Sequence, residues 1–98
     1  MLGTKNVDLK LAPKAQEWLE GFIAASPLED PLPGVIYGRW KEESEDHWSI
    51  GLYDRPDLPN IDMWLCTGLG WEFLAFEHMI ELLEGKTIYF REGKILVE

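Results

Sequence analysis

The side chains with intrinsic reactivity are few, and their spacing decides what they are worth. Cys66 stands alone, so the chain has no intrachain disulfide and no site built from cysteines. It falls in the apolar run Ile61 to Thr67, where a thiol behaves as a small hydrophobe with a raised pKa, and inert core is its expected role. Rapid alkylation of the native protein at neutral pH would overturn that. His47 and His78 lie too far apart for a local ligand pair, and neither sits in a His-Glu-x-x-His frame. His78 and Glu81 share one side of a helical stretch, but two ligands do not close a site, so helix surface is expected. The acidic run Glu42 to Asp46 lacks the alternating oxygens and central glycine of a calcium loop and reads as a solvated connection. No nucleophile with its base and no spaced carboxylate pair is defensible, so no catalytic residue, metal site or cofactor is expected.

Aromatic residues are the unusual feature. Trp40, Trp48, Tyr53, Trp64 and Trp71 fall on or beside strand-like segments; most belong in a core, yet paired strands have a second face. Exposed tryptophans beside arginines make the kind of patch that supplies most of the affinity at protein interfaces. The candidate binding residues are therefore Arg39, Trp40, Trp48 and Arg55. On this reading Trp40→Ala weakens association with a partner while leaving the thermal midpoint nearly unchanged.

The elements that must position these residues follow from periodicity. Val7, Leu9 and Leu11 alternate with Asp8 and Lys10 as in a short half-buried strand. Pro13 suits a first helical position, and Ala15, Trp18, Leu19, Phe22 and Ile23 follow at helical spacing until Ser26-Pro27, predicting the main helix over Pro13 to Ala25. Leu28 to Gly34, with its prolines and acids, is expected to be an extended surface connection. Val35 to Trp40 and His47 to Tyr53 predict two antiparallel strands, Asp54 to Asn60 a proline-punctuated loop, and Ile61 to Thr67 a third strand. Gly68 and Gly70 permit a turn into a last unit from Trp71 to Val97. There Phe76, Met79, Ile80 and Leu83 mark one face of a short helix, Gly85 ends it, and a hairpin turns at Gly93. The predicted order is β-α-β-β-β-β-α-β-β.

The totals bound the class. A chain of 98 residues with a 46% hydrophobic fraction and five tryptophans is one folded domain, residues 1–98. Nine basic against 18 acidic side chains give −9, a field that repels phosphate backbones and anionic lipid; nucleic acid and membranes are not expected partners. The same field raises the association rate with a basic protein. With no signal peptide and no apolar run of ~18 residues, a cytoplasmic location is expected.

Two separated pieces, Val7-Asp8-Leu9-Lys10-Leu11-Ala12-Pro13-Lys14-Ala15 and Leu82-Leu83-Glu84-Gly85-Lys86-Thr87-Ile88, resemble the HesB/IscA-like family, the A-type carriers of iron-sulfur cluster assembly and their relatives. The resemblance implies the family's opening strand and helix and its late glycine-to-strand element. It also implies a cysteine in an early glycine-rich turn and a Cys-Gly-Cys pair near the C-terminus. Tyr37-Gly38-Arg39-Trp40 and Lys94 to Glu98 hold neither, and Cys66 matches neither position. One thiol per chain cannot ligate a cluster without partners.

The expected fold is thus mainly β, α+β by content: a single HesB-like domain of short antiparallel or mixed sheets with one long N-terminal helix and one short C-terminal helix. The expected role is non-enzymatic protein–protein interaction without cluster ligation. Two alternatives stay open: an accessory protein in iron-sulfur cluster or metal assembly, and an acidic immunity or inhibitor protein.

Overall fold

The alternation of Val7, Leu9 and Leu11 correctly marks one buried face, but the backbone changes sheets in the middle of it. In a computed structural model that describes residues 3–38, 45–55 and 63–98, β1 (Gly3–Asn6) and β2 (Leu9–Leu11) are separate strands. Val7 donates its N–H to the Thr67 carbonyl (3.0 Å), and Leu9 donates to Val7 (2.8 Å), closing a tight turn at Asp8. Both Val7 and Leu9 still point into the core. The predicted order therefore gains one strand at its start.

The remaining elements are α1 (Pro13–Ala24), β3 (Pro31–Gly38), β4 (His47–Asp54), β5 (Met63–Thr67), β6 (Glu72–Phe76), α2 (Glu77–Leu83), β7 (Lys86–Arg91) and β8 (Lys94–Val97). They form two mixed sheets, one ordered β1-β5-β6-β3-β4 and the other β2-β7-β8. The fold is mostly β with two helices, as the patterns predict. Ile61, Asp62 and the start of the predicted third strand lie outside the described residues.

Helix α1 begins at Pro13, whose missing N–H costs nothing at that position, and Ala12 ties its start to β7 by donating to Ile88 O (2.9 Å). It buries Ala15 and Leu19, and its last turn closes as Ala25 and Ser26 donate to Gly21 O and Ile23 O. At 12 residues it spans about 18 Å, three turns. The span agrees with the expected Pro13 to Ala25 to within one residue, but the long N-terminal helix expected from the sequence is a helix of ordinary length, because the chain between Pro13 and Ser26-Pro27 allows only three turns.

The surface connection expected over Leu28 to Gly34 is the clearest correction. Pro31, Leu32, Pro33 and Gly34 belong to β3, paired with Asp54, Tyr53, Leu52 and Gly51 of β4, and Leu32 is buried. Arg55 donates its N–H to Asp30 O (2.9 Å), which fixes the phase of the ladder. In that phase Leu32 and Gly34 exchange bonds with β4, whereas the nitrogens of Pro31 and Pro33 face the β6 side, where pairing covers only Gly34 and Val35. Neither proline breaks a ladder bond, so both are tolerated inside the strand.

The main core lies between the larger sheet and the layer of α1, α2 and the smaller sheet: Leu9, Leu19, Val35, Cys66, Phe73 and Ile88 are among its members. Period-two alternation sends the neighbouring residues to the opposite face, where Leu32, Met63 and Leu74 form a smaller cluster with Tyr53, Leu65 and Phe76. Phe76 is accordingly the end of β6 and packs behind the sheet, while Met79, Ile80 and Leu83 carry the buried face of α2. Gly85 follows at φ 76°, the left-handed conformation its position after the helix predicts. Its N–H donates to Asp8 O (2.7 Å), and the Glu84 carboxylate accepts from Asp8 N–H (3.0 Å). The segments Val7 to Ala15 and Leu82 to Ile88 thus meet in space, with β2 running parallel to β7 from Leu9↔Lys86 to Leu11↔Ile88.

Candidate functional site

Each sheet has an edge on the same side of the molecule. β4 ends the larger sheet and β8 ends the smaller one, and the two lie against each other. Between their beginnings opens a cleft of about 720 Å³, a size typical of binding pockets. β4 contributes His47, Trp48, Ser49 and Ile50; the β7–β8 hairpin contributes Gly93 to Leu96; Trp18 reaches in from α1. Glu45 and Asp46, both exposed, line it as well.

Aromatic contacts hold the walls. Trp18 is sandwiched by Phe22, with centroids 5.1 Å apart, and by Phe90 of β7 at 5.0 Å. Across the cleft Trp48 meets Tyr37 of β3 at 4.9 Å, and Tyr37 remains 41% exposed. Both tryptophans are half-buried and rest on the main core, so their orientation is fixed before anything binds. The hairpin turn beside them is a two-residue turn with positive φ at both Glu92 (52°) and Gly93 (75°), the twist that matches flanking strands.

Of the four residues singled out by type, Arg39 and Trp40 lie outside the described residues. Trp48 and Arg55 do not come together: they sit at opposite ends of β4, about 23 Å apart along an extended strand. Arg55 is engaged instead with Asp30 (Nε to Oδ2, 3.1 Å) and Glu72 (3.5 Å), tying the start of β3 and the end of β4 to β6. It borders a second, smaller cleft lined by residues that include Leu11, Leu19 and Leu69. Trp18, Gly93 to Leu96 and the outer edge of β4 are the cleft-forming features that the residue types left unassigned. Trp18 carries the helical spacing of a core residue, and nothing local announces that Phe90 will stack on it.

The reactive side chains stay apart from this cleft, except His47. Cys66 is fully buried on β5, and burial pushes its thiol from 9.0 up to about 11 against the smaller pull of the Lys5 charge. Its sulfur donates to Trp64 O at 3.6 Å. His78 is exposed on α2 beside Phe76, and among the described residues no three His, Cys, Asp or Glu side chains converge in a metal-binding group. Of the acidic run, Glu45 and Asp46 are described. No described helix is long and apolar enough to cross a membrane. No family model, curated protein or solved structure matches the chain.

Proposed function

We propose that this chain is a non-enzymatic interaction domain of HesB-like fold without cluster ligation, whose acidic surface takes a basic protein partner in the cleft between β4 and β8. The observation that carries the reading is the cleft itself: Trp18, stacked on Phe90, and Trp48, tilted against Tyr37, line it together with Glu45 and Asp46, and the chain carries −9 overall. The HesB-like assignment rests on the resemblance of the two pieces Val7 to Ala15 and Leu82 to Ile88 alone. An inhibitor role is this same reading with an enzyme as the basic partner.

The accessory role in iron-sulfur or metal assembly rests on the resemblance alone. Cys66, buried with a raised pKa, is a poor thiolate donor, so on that alternative the domain would bind a carrier protein rather than the cluster. Neither reading has the domain itself ligate a cluster, so cluster absorption in the visible spectrum of anaerobically purified protein would contradict both, and the identity of the captured protein separates them.

The interaction reading is tested by capture from native lysate on immobilised wild-type and Glu45→Lys domains. A basic protein retained at low salt, released at high salt and at least threefold depleted on Glu45→Lys is the expected result. Equal retention by both domains at every salt concentration would contradict it.

A further inference from the structure

We infer that the cleft binds its partner by strand addition: an extended segment, apolar in its middle and basic at both ends, pairs with the free edge of β4. The inference deepens the interaction reading above and rests on it.

Backbone geometry comes first. In the phase set by the Arg55–Asp30 bond, Ser49, Gly51 and Tyr53 exchange hydrogen bonds with β3, so the peptide groups of Trp48, Ile50 and Leu52 point away from it. Among the described residues no strand pairs with this side of β4, which is terminal in its sheet with β8 against part of it, so these donors and acceptors form an outward row. On β8 the reciprocal Thr87–Glu98 bonds set the phase in the same way and turn Ile95 and Val97 outward from β7. Of these residues Trp48 and Ile50 on β4 and Ile95 on β8 line the cleft.

The two edges of the larger sheet are treated differently. β1 is four residues long, fully exposed and carries Lys5, the usual way of blunting an edge. β4 is eight residues long, with no lysine, arginine or proline within it. An unblunted edge of that length beside preformed aromatic walls is what strand addition requires.

Charge then selects the occupant. Glu45 and Asp46 lie at one end of β4 and Asp54 at the other, with an apolar and aromatic middle between them. Asp46 and Asp54 are about 26 Å apart along the strand. A second copy of this chain is the obvious competitor for an open edge. Outward-facing residues must pair with each other, so two antiparallel β4 strands overlap best when centred on Ile50, and Asp46 then faces Asp54 in both copies. Like charges directly opposite are destabilising, and two chains of −9 repel at longer range. The edge therefore disfavours its own copy and favours a segment with basic ends.

The probe is a synthetic peptide of alternating Val and Thr with a lysine pair at each end, titrated into ¹⁵N-labelled full-length domain. Shifts at the amides of Trp48, Ile50 and Leu52, with slowed hydrogen exchange there, are expected. The same peptide N-methylated at alternate residues loses the donors of one edge and should bind at least tenfold more weakly; a glutamate-flanked version should fail to the same degree. Equal binding of the N-methylated peptide would show groove filling without strand pairing and overturn the proposal. Absence of binding by the lysine-flanked peptide would overturn it as well, while salt-sensitive capture of a basic protein would leave the broader reading standing. Perturbation of the same amides by raising protein concentration alone would assign the edge to a second copy, again against the proposal.

Discussion

Cys66 shows how position on a strand decides the fate of a reactive group. Its thiol is held neutral by burial, with a folded value near 11 against 9.0 ordinarily. Between those values the unfolded chain releases the proton while the folded chain keeps it, so stability falls as pH rises from about 9 to about 11. Chemical denaturation across that range should show the fall, and Cys66→Ala should flatten it. At neutral pH the thiol should label only on the timescale of unfolding. The residue-level expectation was legible because its neighbours in the run are large and apolar. Glu92 was not: its φ of 52° is imposed by the two-residue turn, and only Gly93 announced a left-handed position. Asn tolerates that conformation better, so Glu92→Asn should stabilise the domain by about 0.5–1 kcal/mol, read as an increased denaturant midpoint.

At the scale of elements, periodicity located both helices and most strands, and failed where pairing rather than composition makes the decision. The prolines of β3 suggested a loop because proline normally ends a ladder. Only the phase of pairing with β4 reveals that Pro31 and Pro33 turn their nitrogens to the side where pairing is sparse. The break between β1 and β2 was equally hidden, since Val7 and Leu9 keep one face buried through the change of sheet. In α1 the local pattern and the packing agree, leaving Gly21 as the weak position. A Cβ there meets nothing within 4 Å, so Gly21→Ala should stabilise by about 0.5–1 kcal/mol. Calorimetry should record a rise in thermal midpoint of about 2–8 °C.

At the scale of the whole molecule, the candidate site belongs to no single element. Arg39, Trp40, Trp48 and Arg55 were grouped by residue type, and of these Trp48 alone is placed at the cleft among the described residues. Its companions, Trp18 and the strand from Lys94, come from distant parts of the sequence and meet because α1 packs on β7 and β8 borders β4. Such a site is invisible to spacing, whereas the net charge that qualifies its partner is plain in the composition. The central claim is that a protein partner occupies this cleft. Hydrogen–deuterium exchange of the full-length domain, alone and bound to the partner it captures, tests it most directly. Slowed exchange over residues 48–52 and 95–97 is predicted. Unchanged exchange in both segments, with protection elsewhere, would contradict the account.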